Sequence, residues 1–274
     1  MALPANLILI RHGESEGNLA KDASKAGDNS IFTKEFVDRP QARLRLTNHG
    51  ISQAAEAGEW VRRWMSANEV LHFDRCLVSE FSRAMETAAL LGISNAKWYV
   101  DFNLRERSWG DFDFIPYNKR DQYKDSFLRK DQDSFYWKPP NGECIAELCL
   151  RVDRILDTLH RECDGKNVLI VAHGEVMWAF RVRLERISPR EYHLLDQSKD
   201  PFSRIHNCGV LWYTRRSNPN DRESELLSRP ESMYSTTPWD LTLSRNDWIK
   251  ITRKTYSNQD LLDEVVHYPR ILDR

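Results

Sequence analysis

Two apolar runs constrain this chain more than anything else in it. Leu7-Ile8-Leu9-Ile10 stops abruptly at Arg11-His12-Gly13, and Val168-Leu169-Ile170-Val171-Ala172 stops at His173-Gly174. Each run has the length of a buried strand. Each delivers a histidine to the carboxyl end of that strand, where open α/β sheets bind their ligands. After the first run, Gly13 and Gly17 allow a tight turn and close backbone approach. The helix expected next aims its N-terminal amides at the same spot, which suits an anion. Arg11 adds a planar, permanently charged fork that matches phosphate. His12 adds a nitrogen nucleophile or proton shuttle near neutral pH. The local chemistry reads as phosphate handled by a histidine.

Arg11-His12-Gly13, directly after an N-terminal strand, resembles the signature of the histidine phosphatase superfamily, also called phosphoglycerate mutase-like. Four further segments follow in the family's order. Leu46-Thr47-Asn48-His49-Gly50-Ile51-Ser52-Gln53-Ala54 resembles its L-T-x-x-G-x-x-Q-A helix start. Val78-Ser79-Glu80-Phe81-Ser82-Arg83-Ala84 resembles the strand-turn-helix with the second phosphate arginine. Leu104-Arg105-Glu106 resembles the L-x-E segment that supplies an acid, and the second His-Gly strand is the fourth. The resemblance spans about residues 6–213.

What the resemblance implies is a metal-independent site with no cofactor. His12 is its nucleophile, Arg11 and Arg83 clamp the phosphoryl oxygens, and His173 donates to the phosphoryl group. Asn18 also donates there, Ser15 touches substrate, and Gly174 lies beside it. Glu106 is the general acid, which requires desolvation and a raised pKa. Asp111 and Asp113 are nearby alternatives for that role. Glu14 supports the loop.

Strands and helices alternate, so the expected fold is a three-layer α/β/α sandwich with a mostly parallel central sheet. Strands are expected at Leu7–Ile10, Arg75–Val78, Trp98–Val100, Asn167–Ala172 and Gly209–Tyr213. Helices are expected at about 48–65, 81–91, 143–161 and 175–186. The third shows one apolar stripe of Ile145, Leu148, Cys149, Val152, Leu156 and Leu159, with Asn141-Gly142-Glu143 as its start. A catalytic domain is expected over residues 1–214, with a C-terminal extension over 215–274. That extension opens on a polar linker, Arg215 to about Pro238, and holds a candidate strand at Trp248–Thr252 and a helix at Asn258–Val266.

Two inserts interrupt the alternation. Residues 19–45 read as polar and irregular. Residues 107–140 are rich in aromatic and charged residues and read as a helical lid. Within it, Lys119 and Arg120 are candidate contacts for a second anionic group on the substrate.

A formal net charge of −1 gives no global field to attract nucleic acid or a membrane surface. No apolar run is long enough to cross a bilayer, and the N-terminus reads as a strand rather than a signal peptide. Five cysteines without zinc-site spacing predict reduced thiols and a cytoplasmic protein. The expected partner is a small phosphorylated substrate, and the C-terminal tail is a candidate homodimer element.

Three functions compete. The first is a phosphomonoester hydrolase working through phosphohistidine. The second is a cofactor-dependent phosphoglycerate mutase. The third is a non-catalytic phospho-ligand binding module, against which the complete set Arg11, His12, Arg83, Glu106 and His173 argues. The first motif carries Gly17 before the asparagine, where the mutases usually have tryptophan, and the run Phe135 to Glu143 is more similar to a phosphatase branch. In that branch serine commonly follows Gly-Glu; here the residue is Cys144.

Overall fold

The computed structural model describes residues 2–226, 234–236, 248–251, 255–266 and 270–272. Its strands are β1 (Asn6–Arg11), β2 (Arg75–Val78), β3 (Trp98–Val100), β4 (Asn167–Ala172), β5 (Val210–Thr214), β6 (Tyr234–Thr236) and β7 (Trp248–Lys250). They form one sheet in the order β3-β2-β4-β1-β5-β6-β7. The first four neighbours are parallel, and β5 joins this central group antiparallel to β1. The helices are α1 (Glu16–Lys25), α2 (Lys34–Asp38), α3 (Asn48–Ala67), α4 (Ser82–Leu90), α5 (Lys124–Gln132), α6 (Ile145–Glu162), α7 (Gly174–Leu184), α8 (Pro189–Gln197) and α9 (Asn258–Val265).

Strand geometry sends alternate side chains to opposite faces, and the chain fills both. Leu7 and Leu9 of β1, with Val168 and Ile170 of β4, pack with Ile145, Leu148 and Val152 of α6 and Phe180 of α7. Ile8 and Ile10, with Leu169 and Val171, pack with Ala54, Ala57 and Val61 of α3 and with Ala84 and Ala88 of α4. The molecule is the expected α/β/α sandwich. Burial on both faces is why β1 and β4 read as continuous apolar runs instead of alternating ones. Each such Leu or Ile contributes about 1.5–3 kcal/mol over leaving it exposed, so the strand bearing the Arg-His-Gly turn is firmly held.

The β1–β4 register sets the site. Arg11 pairs with Ala172, so the two strands end level. The His12 amide then donates to the Ala172 carbonyl at 3.0 Å. Next to it, Gly13 and Gly50 approach so closely that a Cβ on Gly13 would lie 2.4 Å from the Gly50 carbonyl oxygen. No residue with a side chain fits there without backbone movement.

The expected strands and helices fall within a residue or two of those observed, with three informative differences. First, α6 does not start at Asn141-Gly142-Glu143. Asn141 is left-handed, with φ 57°, which turns the chain before the helix. The N-cap is Cys144, whose Sγ accepts from the Glu147 amide at 3.4 Å while Glu147 Oε2 accepts from the Cys144 amide at 2.9 Å. Second, α8 was not among the expected helices, although Ser188-Pro189-Arg190-Glu191 forms a capping box with proline in the first turn. Third, residues 19–45 are less irregular than their composition suggests, since α1 runs to Lys25 and α2 follows.

The lid segment forms 3-10 turns at Gly110–Phe112 and Tyr117–Tyr123, then α5. It closes on the 19–45 insert. Phe36 meets Phe114 edge-on at 5.7 Å between ring centroids. The Tyr117 amide donates to Ser24 Oγ at 2.6 Å, and Gln41 Nε2 donates to Asp113 Oδ1 at 2.9 Å.

In the C-terminal segment, β6 pairs antiparallel with β5, and β7 pairs with β6. The expected strand Trp248–Thr252 is observed as Trp248–Lys250; Thr252 lies outside the described residues, as do those of the expected linker after Leu226 other than Tyr234–Thr236. The expected terminal helix is α9. All five cysteines are buried thiols. No helix among the described residues is long and apolar enough to cross a membrane.

The Cys144 cap generates a stability prediction. A hydroxyl is a stronger acceptor than a thiol and serine is a preferred N-cap, so Cys144→Ser should stabilise the protein by about 0.5–1 kcal/mol. Thermal unfolding measures this directly. A Tm at or below that of the unaltered protein would show that thiol packing outweighs the cap.

Candidate active site

The level ends of β1 and β4 place His12 and His173 side by side, with ring centroids 5.1 Å apart and planes at 64°. One ligand atom from each of His12, His173 and Glu106 lies within 4.8 Å of the others. Five residues read from four separate sequence motifs therefore meet: Arg11 and His12 from β1 and its turn, Arg83 from α4, Glu106 from the segment after β3, and His173 as the N-cap of α7.

The hydrogen bonds of His12 fix its tautomer. Its Nδ1 lies 2.7 Å from the Gly13 carbonyl oxygen, which can only accept, so Nδ1 carries the proton. Nε2 is then a bare lone pair, and Arg83 Nε donates to it at 3.2 Å. Burial, reinforced by the Arg83 and Arg11 charges, pushes the His12 pKa well below the usual histidine value. The ring is neutral at ordinary pH, with Nε2 unprotonated.

His173 is neutral for the same reasons, burial first and then the Arg83 charge. Its Nε2 shares a hydrogen bond with Ser79 Oγ at 2.8 Å. Its Nδ1 is buried and has no hydrogen-bond partner among the described residues, as is true of Arg11 Nε. Buried polar nitrogens are costly to leave unpaired, so both are prepared for an acceptor.

The two arginines are held by main-chain carbonyls. Arg11 donates to Ile205 O at 2.8 Å, and Arg83 donates to Gln41 O at 2.9 Å. Burial lowers the pKa of both, that of Arg83 to about 10, which leaves them cationic at neutral pH. A site containing two imidazoles and a carboxylate has donors that a divalent cation accepts. Here two guanidinium groups stand against those donors and one occupies His12 Nε2, so the local field favours an anion.

Glu106 is half-buried, and burial raises its pKa to about 7, helped by the Glu175 charge and opposed by Arg83. Its Oε1 accepts from the Arg107 amide at 3.0 Å. Of the alternative acids, Asp111 is exposed and accepts from Asn141 Nδ2 at 3.0 Å. Asp113 lines the cavity but its Oδ1 is occupied by Gln41 and by the Trp109 amide; burial raises it to about 6.

A cavity of about 450 Å³ opens over these groups, lined by Arg11, His12, Ser15, Asn18, Arg83, Glu106 and Gly174 among others. The Asn18 carbonyl oxygen takes donors from the Ser15 amide at 3.2 Å, Ser15 Oγ at 3.1 Å and Asn207 at 3.1 Å. That leaves its amide NH2 for a ligand. The Ser15 hydroxyl is bound into the α1 capping box, so it orients Asn18 as well as lining the cavity. Glu14, as expected for a support, accepts from Thr47 Oγ1 at 2.6 Å.

Of the two lid cations, Arg120 lines the cavity and Lys119 does not; Lys119 is exposed. The reason is the 3-10 turn at Tyr117–Tyr123. With three residues per turn, Tyr117 and Arg120 share a face and Lys119 points off it. The Arg120 guanidinium lies 5.2 Å from the Tyr117 ring centroid and 5.3 Å from that of Phe127. The lid aromatics otherwise pack on one another: Phe112 stacks on Phe127 at 5.2 Å and on Trp137 at 6.2 Å.

Sequence reasoning missed several contributors. Lys21, one turn after Asn18 on α1, lines the cavity, with Nζ 5.7 Å from the Trp109 ring centroid. Asn207 donates to the His12 carbonyl at 3.1 Å. Gln41, Ser79, Arg107 and Glu175 also belong to the surroundings of the reacting groups. Spacing along helix α1 would have identified Lys21; Glu175 directly follows His173-Gly174 on α7 and Ser79 directly follows β2, while Gln41, Arg107 and Asn207 come from distant segments that only the fold brings near.

Comparison with known proteins agrees with this geometry. Residues 7–217 match the model of the histidine phosphatase superfamily (branch 1). The chain is similar to a 2,3-bisphosphoglycerate-dependent phosphoglycerate mutase of Cytophaga hutchinsonii, 32% identical over 201 residues that cover 69% of this chain and 82% of that protein. It is 25% identical over 264 residues to a phosphoglycerate mutase-like protein of Arabidopsis thaliana, covering 90% of this chain and 78% of that one. Among solved structures, a mycobacterial glucosyl-3-phosphoglycerate phosphatase shares the fold with a TM-score of 0.58 and 20% identity, over 82% of this chain and 98% of that chain. By the match over residues 7–217, which is most of its length, this chain belongs to the histidine phosphatase superfamily.

Proposed function

We propose that this protein hydrolyses small phosphomonoesters without a metal, through a phosphohistidine on His12. The observation that carries the reading is the state of His12: its proton is committed to the Gly13 carbonyl, and its Nε2 lone pair stands among two guanidinium groups. Such a nitrogen attacks phosphorus without first losing a proton.

The steps balance as follows. His12 Nε2 forms a bond to phosphorus as the ester P–O bond breaks. Glu106, protonated, gives its proton to the leaving oxygen, and the alcohol departs. Arg11, Arg83 and His173 stabilise the charge on the non-bridging oxygens. Water then attacks the phosphohistidine and Glu106, now a carboxylate, takes its proton. Inorganic phosphate leaves, and both groups return to their starting states. A carboxyl with a pKa of about 7 suits both roles near neutral pH.

A second reading has support of its own, since the matched bacterial relatives are mutases. In that reading the phosphohistidine resists water and returns its phosphoryl group to a phosphoglycerate. Supplying 3-phosphoglycerate with 2,3-bisphosphoglycerate separates the two: a mutase forms 2-phosphoglycerate, and a phosphatase releases inorganic phosphate.

The primary test is turnover of p-nitrophenyl phosphate in EDTA. Activity should persist in the unaltered protein and fall about 10³-fold or more in His12→Ala; turnover that EDTA abolishes, or that survives the substitution, would refute the mechanism.

Glu106→Gln should distinguish the acid from a mere wall of the pocket. Alkyl phosphates need a proton on the leaving oxygen and should slow about 10²–10⁴-fold. In kcat/KM, which reports phosphoryl transfer to His12 and not the later hydrolysis that also uses Glu106, p-nitrophenyl phosphate, whose leaving group departs as an anion, should slow far less. Equal losses in kcat/KM on both substrates would remove Glu106 from the acid role.

For the lid, Arg120→Ala should raise KM about tenfold for a phosphomonoester with a second anionic group while kcat changes little. Lys119→Ala should leave both unchanged. A matching KM rise in the two variants would mean that the lid adopts another arrangement around substrate.

A further inference from the structure

Glu175 is a carboxylate in the second position of α7, in the wall of the cavity and immediately beyond His173-Gly174. Nothing in the reaction above uses it. A carboxylate lining a phosphate-binding cavity repels the ligand, so its presence calls for a reason.

Its surroundings hold it rigidly. Oε1 accepts from Arg107 at 3.0 Å, and Oε2 accepts from the Trp109 indole N–H at 2.8 Å. Arg107 is itself locked: it is 1% exposed, donates to Glu143 O at 2.7 Å and to Trp137 O at 3.3 Å, and packs against the Trp109 and Trp137 rings, with 5.1 Å and 5.5 Å to their centroids. The same Arg107 touches Glu106, because its main-chain amide donates to Glu106 Oε1 at 3.0 Å. One residue thus fixes both carboxylates, one through its backbone and the other through its side chain.

We infer that Glu175 is a positioning residue: a fixed anion, held by Arg107 and Trp109, that keeps the adjacent Glu106 in its protonated, proton-donating form. The inference rests on Glu106 being the acid of the proposed reaction. The charges facing Glu106 explain the need. Arg11 from β1 and Arg83 from α4 both favour its carboxylate, as does the Arg107 amide, while His12 and His173 are neutral. Burial opposes them, and Glu175 from α7 is the negative charge on the same side as burial. A site that clamps phosphate with two guanidinium groups would otherwise ionise its own acid; the Glu175 charge offsets that pull.

The sign of the effect follows. The acid form is needed for the first step, so kcat/KM falls as pH rises through the Glu106 pKa. Glu175→Gln keeps an acceptor for Trp109 but removes the negative charge and leaves the Arg107 charge uncompensated. Both changes favour the Glu106 carboxylate, so the basic limb of kcat/KM for an alkyl phosphate should move down by about one pH unit. Glu175→Asp, which keeps the charge, should hold the limb near its original position. Glu175→Gln with Arg107→Met removes a neutral pair and should return the limb most of the way. A limb that stays put while activity drops uniformly would make Glu175 merely structural, and a limb that moves up would reverse the inference.

A readout independent of turnover accompanies this. The Glu106 carboxyl, labelled with carbon-13 and assigned by its loss in Glu106→Gln, is titrated by NMR in the full-length protein. Its midpoint should fall in Glu175→Gln; an unchanged midpoint overturns the inference. A midpoint that falls while Glu106→Gln leaves the alkyl phosphate rate intact would support the Glu175 effect and refute the acid role of Glu106.

Discussion

The pairing of β1 with β4 is the constraint on which the site depends. Two parallel strands in register, with Arg11 opposite Ala172, end at one level. That alone sets two imidazoles 5.1 Å apart. Because strand side chains alternate, a one-residue slip would turn the buried residues of β1 to the wrong faces. The core on each side of the sheet therefore enforces the register, and the register enforces the distance between the histidines. Burial of the apolar strands and placement of the two histidines are one physical fact.

The electrostatic character of the site follows from the same burial. Away from water, the arginines keep their charge, the histidines lose theirs, and a carboxyl is pushed toward neutrality. An unprotonated imidazole nitrogen and a protonated carboxyl can coexist near pH 7 only because desolvation moves the two groups in opposite directions. On a solvated surface, the same five residues would present a mixture of protonation states.

Much of this was legible in the sequence, for identifiable reasons. Strands buried on both faces leave unbroken apolar runs, so β1, β2 and β4 were found nearly to the residue. His12 and His173 were readable because each directly follows a buried apolar run, and Arg83 because the segment around it resembles that of the family. Lys119 lies off the cavity that Arg120 lines, because sequence adjacency says nothing of direction until the 3-10 geometry of that turn is known. Cys144 as N-cap was missed because thiols are weak acceptors and Asn141-Gly142 offered a more familiar signal. Glu175, Arg107 and Gln41 could not be read at all: their places in the site depend on contacts across 36 to 72 positions of chain, which no local pattern encodes.

The cavity joins parts of different origin. Its floor is made of strand ends whose positions the core dictates. Its roof is made of the 19–45 and 107–140 segments, which meet through a few polar bonds and an edge-on pair of phenyl rings. A change in the floor must satisfy the whole sheet, whereas a change in the roof must satisfy only its neighbours. The two parts therefore answer to different constraints: the floor is tied through strand register to the whole core, while the roof is tied only to itself and its immediate neighbours.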